Sequence, residues 1–252
     1  MAGLAVESPL AAEVREGSNP DVSLLYDING WARDAPHWCD RVMEFVGEFG
    51  VVFALVALLF GAWWSARKRS DAASATAGLL WAPLAAGIAL LANIPIRNFV
   101  ERPRPFKDHQ RVVALVDGKS DYSFVSDHAT LVAAIAVAIF MVNRKYGVFA
   151  LFIALVAGFC RVYMGVHYPT DVVGGFALGT AVALLLAPLA MMLLTPLASA
   201  VADSRVGWLV RAAGGRSHRP ATGVTVSTEQ HPTAGPAVPQ VSDKRRDRDL
   251  AA

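Results

Sequence analysis

Charge is scarce in this chain: 17% of its 252 residues are Asp, Glu, Lys or Arg, against about 25% in an ordinary soluble domain. With 54% hydrophobic residues and a mean hydropathy of +0.41, that scarcity excludes a soluble globular protein and points to a membrane protein. Cysteine is nearly absent. Cys39 and Cys160 allow at most one bridge and lack any metal-ligand spacing, which excludes a disulfide-stapled scaffold; two free thiols are expected. A net charge of +2, with no continuous basic stripe, excludes a nucleic-acid partner. Internal repeats are lacking. The opening "MAGLAVESPLAAEVREG" has no basic start and its apolar run is broken by Glu7 and Glu13, so targeting is expected to come from the first spanning helix.

What is present is a series of uncharged runs, at residues 49–66, 72–96, 129–143, 146–160 and 172–202. They predict an all-α, polytopic membrane helix bundle of about five transmembrane helices. The third and fourth runs fall short of the roughly 20 residues a span needs, unless Ser126 to His128 and Arg161 to Val166 also lie at membrane depth. Upstream, "VSLLYDINGWARDAPHW" carries Leu24, Leu25, Ile28 and Trp31 at helical spacing, which predicts an N-terminal interfacial helix; the alternative is a poorly ordered leader. From about Ser204 the sequence turns rich in Pro, Thr, Ser, Gly and charge. The expected organisation is an extracytoplasmic N-terminal segment at 1–46, a transmembrane core at 47–202 and a mostly disordered cytoplasmic tail at 203–252.

Orientation follows from the short loops. Arg67, Lys68 and Arg69 after the first run, and Arg144 and Lys145 between the third and fourth, are cytoplasmic by the positive-inside rule. The acidic N-terminal region, with Glu7, Glu13, Glu16, Asp21, Asp27 and Asp34, then lies outside. One outer loop dissents: residues 96–126 contain Arg97, Arg102, Arg104, Lys107, Arg111 and Lys119. Cations held there against the bias imply either an anionic ligand or contact with lipid headgroups.

Three clusters fall on that outer face. In "RNFVERPRP", Arg97 and Arg104 are planar, permanently charged donors suited to phosphate oxygens. In "SFVSDHAT", Ser126 can cap the third span and aim its free backbone N–H groups at an anion, while His128 sits in the first turn; a structural histidine there is the competing reading. In "CRVYMGVHYPTD", Arg161 offers another phosphate donor, the His167 ring can attack phosphorus, and Asp171 can hold its other nitrogen across the turn made by Pro169. Three such segments in an otherwise lipid-like sequence mark a polar site inside the bundle.

Together the clusters resemble the signature of the type 2 phosphatidic acid phosphatase superfamily, K-x6-RP, PSGH and SR-x5-H-x3-D. Here the elements read Arg97, six residues, Arg104-Pro105; "VSDH" ending at His128; and Cys160-Arg161, five residues, His167, three residues, Asp171. Every spacing is kept, with Arg97 for lysine, Val125 for proline, Asp127 for glycine and Cys160 for serine. The "SDH" version of the second element, with "ERPRPF" in the first, looks most like the bacitracin-resistance branch, the undecaprenyl-diphosphate phosphatases.

The resemblance implies an integral membrane enzyme that hydrolyses a polyprenyl diphosphate, or another lipid phosphate, at an extracytoplasmic site of the plasma membrane. It implies His167 as nucleophile, Asp171 as its orienting acid and His128 as the acid and base. Arg97, Arg104, Ser126, the Asp127 amide and Arg161 would bind phosphate. No cofactor is implied and no metal, since Asp108, Asp117 and Asp121 show no ligand spacing suited to Mg²⁺. The partners implied are the lipid phosphate substrate and membrane lipids. Alternatives within this reading are a phosphatase for phosphatidic acid or phosphatidylglycerol phosphate, and a lipid-phosphate binder or transporter without turnover. Remaining features read as structural: His37, His109, His218 and His231 as solvated or interfacial, Lys107, Arg111 and Lys119 as loop charges, Trp63 and Trp64 as interfacial anchors. Gly175 and Gly179 read as a close helix contact, within the chain or between copies.

Overall fold

The computed structural model of the chain describes residues 19–116, 118 and 120–211, and every regular element among them is a helix. Glu7, Glu13, Glu16, Asp117, Lys119, His218, His231 and the tail beyond Arg211 lie outside the described residues. The first helix, α1 (Pro20–Asp34), starts where Asn19 accepts the Asp21 N–H at 3.1 Å and Pro20 presets the first helical φ. Of its four expected apolar residues, Leu25 is fully buried and Ile28 packs beside it, whereas Leu24 and Trp31 face outward. Asn29, buried on the same helix, donates to the carbonyls of Val113 and Tyr163 at 2.9 and 2.8 Å and accepts the Val113 N–H at 2.8 Å. That side chain ties α1 to the outer loop and the bundle.

α2 (His37–Ala66) and α3 (Ala72–Val100) are long apolar helices able to cross a membrane. α2 runs unbroken across the 46/47 boundary expected from composition and passes through a π-helical turn at Val46–Gly50. α3 continues past residue 96, through Pro95, and stops where Glu101 takes φ 50. A single helical turn at Pro105–Asp108 opens the outer loop. α4 (Asp127–Val142) is a short apolar helix, about 24 Å at 1.5 Å per residue. It falls short of a roughly 30 Å hydrocarbon core. It need not meet lipid, because α3, α5 (Arg144–Tyr163) and α6 (Pro169–Leu185) pack around it. Its alanines make that possible, with Ala129, Ala134 and Ala136 fully buried. Gly175 and Gly179 on α6 face it so closely that a Cβ at Gly179 would stand 2.2 Å from the Thr130 carbonyl oxygen. The glycine pair therefore serves packing within the chain.

The last uncharged run is not one straight helix. It divides at Leu186 into α6 and α7 (Ala187–Ala202), bent by 52°. Pro188, in the first turn of α7, has no N–H to continue the ladder, and its ring crowds the preceding turn. Arg144 and Lys145 likewise lie in the first turn of α5, capped by Asn143, and leave almost no loop between α4 and α5. At this end Arg69 donates to the Val142 carbonyl at 3.0 Å and Arg67 lies over the rings of Trp63 and Trp64. Cys39 and Cys160 are both free thiols.

Candidate active site

At the bundle end opposite Arg67, Lys68 and Arg69, the end of α3, the outer loop, the start of α4, the end of α5 and the start of α6 converge. His167 lies in the turn between α5 and α6 and is nearly fully buried. Its Nδ1 is 2.9 Å from the Ser123 carbonyl oxygen and its Nε2 is 3.4 Å from Arg104 Nη1. A carbonyl only accepts, so Nδ1 carries the proton and Nε2 keeps its lone pair. Burial pushes the imidazole below its ordinary pKa and favours the neutral ring.

Asp171 stands in a different relation to that ring from the expected one. Its Oδ2 is 3.7 Å from Nδ1, beyond hydrogen-bond range, and the Ser123 carbonyl takes the place assigned to it. The reason is saturation. Asp171 accepts from the Ser123 hydroxyl, from the Tyr168 N–H at 2.8 Å and from Arg102 Nη1 at 2.7 Å. It thus holds the two segments that hold the histidine. Arg102 extends the network: it stacks over the Tyr168 ring at 3.7 Å and reaches Asp21 of α1 at 2.6 Å, while Asp21 accepts the Thr170 N–H.

The arginines surround this ring. Arg104, 4% exposed, donates to the Val166 carbonyl at 2.9 Å and forms a two-pronged pair with Asp121, whose other oxygen takes Arg97 Nη1 at 2.8 Å. Burial alone would raise the Asp121 carboxyl, but hydrogen bonding and the charges of Arg104 and Arg97 outweigh it and hold the group below its ordinary range. Arg161, at the end of α5, is 1% exposed; its Nη1 meets Glu48 Oε1 at 2.9 Å, and its Nε and Nη2 have no hydrogen-bond partner among the described residues. Two buried guanidinium N–H edges without acceptors are what an incoming anion would satisfy.

At the start of α4, the Ser126 Oγ accepts the Ala129 N–H at 3.4 Å, and by helix geometry the Asp127 and His128 amides have no carbonyl of their own helix to bond. The Asp127 carboxylate turns away toward Arg97, with which it pairs, and toward Asn93 Nδ2 at 2.7 Å. His128 points its Nε2 at Glu48 Oε2, 3.5 Å away. The fold therefore gathers Arg97, Arg104, Ser126, Asp127, His128, Arg161, His167 and Asp171 at one end of the bundle. Sequence reasoning missed Glu48, Asn93, Arg102 and Ser123. Asn93, a lone amide inside the second apolar run, and Glu48, an acid directly before the first, were the available signal.

Among the other singled-out residues, His109 is wedged edge-on between the rings of Tyr26 and Tyr168, and His37 is exposed. Lys107 donates to the Ser120 carbonyl and Arg111 stacks over Tyr26. Among the described residues, no three His, Cys, Asp or Glu side chains are grouped to hold a metal ion. An apolar cavity of about 540 Å³, lined by Leu59, Trp63, Leu80, Leu197 and Leu209, lies at the other end of the bundle and does not adjoin the histidines.

Residues 78–194 match the family model described as the PAP2 superfamily. The chain is 34% identical over 136 residues to the undecaprenyl-diphosphatase BcrC of Bacillus subtilis, a match covering 54% of this chain and 66% of that protein. It is 37% identical over 144 residues to the decaprenylphosphoryl-5-phosphoribose phosphatase of Mycobacterium tuberculosis, covering 56% and 73%. Among solved structures, LpxE of Aquifex aeolicus has a TM-score of 0.50 at 21% identity over 68% of this chain and 96% of that one, a likeness of fold alone.

Proposed function

The chain belongs to the PAP2 superfamily, whose members include membrane phosphatases of lipid phosphates, and we propose that it hydrolyses a polyprenyl diphosphate to the monophosphate and inorganic phosphate. The observation that carries this reading is the state of His167: Nδ1–H is engaged by a carbonyl, and the Nε2 lone pair is aimed among guanidinium groups. Nε2 attacks the terminal phosphorus, the bond to the bridging oxygen breaks, and a phosphohistidine forms. His128 gives its proton to the departing lipid monophosphate, then takes one from the water that hydrolyses the intermediate and frees His167. Arg97, Arg104, Arg161 and the first amides of α4 hold the non-bridging oxygens, so catalysis is positioning and charge stabilisation. Asp171 acts through Ser123 and Tyr168 on the ring's tautomer and aim.

The likeness to the B. subtilis undecaprenyl-diphosphatase supports a diphosphate substrate, and the cationic loop on the side opposite Arg67, Lys68 and Arg69 supports an extracytoplasmic site in a multi-pass protein of the cell membrane. A second reading, favoured by the higher identity to the M. tuberculosis enzyme, is hydrolysis of a phosphomonoester on a polyprenyl carrier. The deciding experiment compares kcat/KM of purified protein for polyprenyl diphosphate, a polyprenyl-linked sugar phosphate, phosphatidic acid and phosphatidylglycerol phosphate. The proposal expects the diphosphate to lead, and a leading monoester replaces it. Overproduction should also raise bacitracin tolerance in wild type and not in His167→Ala.

A further inference from the structure

We propose that Glu48 is a positioning residue of this site: its carboxylate spans the His128 imidazole and the Arg161 guanidinium and keeps on His128 the proton that the leaving group needs. The inference rests on the phosphatase reading above and adds to it a residue outside the three motifs.

A carboxylate within a transmembrane helix is penalised unless something on the bundle interior compensates it. Glu48 lies in α2, half-buried, with Oε1 2.9 Å from Arg161 Nη1 and Oε2 3.5 Å from His128 Nε2. The backbone is shaped to bring it there. The π-helical turn Val46–Gly50 inserts one residue into the helical ladder, a distortion that recurs at functional sites. Gly47 then lets α2 approach α5 so closely that a Cβ would stand 2.8 Å from Met164 Cε, 2.9 Å from Cys160 Cβ and 3.2 Å from Arg161 Nη2.

The charges around His128 explain what the carboxylate does. From α5 it faces Arg161; from α3 comes Arg97, paired with Asp127 beside it; and Arg104 and His167 complete the site across the outer loop and the turn before α6. Asp121 and Asp127 are taken up by Arg97 and Arg104. Arg161 and His128 share Glu48. Without it, neither the imidazolium nor the buried guanidinium would keep a carboxylate partner among the described residues. With Nε2–H held by Glu48, the Nδ1 proton is the one His128 has left to give to the leaving oxygen. As the bond between phosphorus and that oxygen breaks, the Nδ1 proton moves to it and leaves a neutral ring.

The test is Glu48→Gln, which keeps shape and removes charge. On polyprenyl diphosphate, kcat should fall about 10- to 100-fold, a fraction of what a general acid contributes, with KM changing less. The alkaline limb of the kcat profile should move to lower pH, because the ring no longer has a carboxylate to stabilise its protonated form. The nitrophenol burst from nitrophenyl phosphate, whose leaving group needs no acid, should change less than about 3-fold. Glu48→Asp should recover part of the lost rate and of the pH shift, and it carries the same readout if Glu48→Gln fails to accumulate in the membrane. Equal losses on both substrates with the alkaline limb unmoved would overturn the inference and leave Glu48 acting through Arg161 alone. Wild-type kinetics of Glu48→Gln would overturn it too. Failure of the phosphatase reading shows separately, as a His128→Ala protein that handles the lipid substrate as wild type does, and it removes this inference with it.

Discussion

Asp121→Asn should tighten the binding of phosphate and vanadate. In the resting structure the Asp121 carboxylate receives Arg104 Nη2 at 2.8 Å and Nε at 3.2 Å on one oxygen and Arg97 Nη1 at 2.8 Å on the other. It thus holds guanidinium edges that a substrate phosphate would use, and the phosphate must displace it. The Asp121 side chain is 40% exposed, so screening limits each pair to about 0.2–1 kcal/mol. Two pairs give about 1 kcal/mol in total, or roughly a fivefold lower Ki for the anion once the carboxylate becomes an amide. The arginines hold the Asp121 carboxyl below its ordinary range, so its competing charge is fully present at neutral pH and fades only as pH falls through that depressed value. The assay is inhibition of nitrophenyl phosphate hydrolysis by vanadate and by inorganic phosphate at pH 7. An unchanged or weaker Ki in Asp121→Asn would refute the reasoning and make Asp121 an organiser of the arginines.

Gly179→Val places a Cβ 2.2 Å from the Thr130 carbonyl oxygen and forces α4 and α6 apart; overpacking of this kind destabilises by about 1–3 kcal/mol, read as a lower Tm in detergent. Gly87→Ala, in the interior of α3 with no described atom within 4 Å of the added Cβ, should leave Tm at or slightly above wild type. Because burial lowers the His167 pKa, the nucleophile stays neutral below its ordinary value near 6.5, and the acid limb of kcat/KM should lie beneath that pH; a limb above it would contradict the neutral-ring argument. Activity should survive EDTA, measured as phosphate release; loss restored by Mg²⁺ would require a different mechanism. With Cys39 and Cys160 replaced, a cysteine at exposed Ser120 should react with a membrane-impermeant thiol reagent in intact cells, and protection until lysis would put the site on the cytoplasmic side.

Spacing in the sequence was enough to anticipate the convergence of Arg97, Arg104, Ser126, His128, Arg161 and His167, because each sits at or beside a helix end whose position follows from where the apolar runs stop. The runs also place the helices, since only a helix satisfies the backbone in lipid. The bend at Leu186 was harder to see. Pro188 stands inside an uninterrupted apolar run, and proline in a membrane helix can be absorbed without a break. The exchange of Asp171 for the Ser123 carbonyl at His167 was out of reach, because which acceptor wins depends on the path of the 109–125 loop, and no pattern encodes it. Glu48 and Asp21 belong to helices that no motif touches, and their roles arise only when α1 and α2 pack against the site.

The central claim, that His167 attacks phosphorus, is tested most directly by trapping the phosphoenzyme. Purified protein mixed with polyprenyl diphosphate labelled at its terminal phosphate and quenched in alkali should carry label that is stable to base and released by acid, as phosphohistidine is. His167→Ala should carry none and release no phosphate. Label retained in His167→Ala, or turnover persisting without His167, would contradict the account.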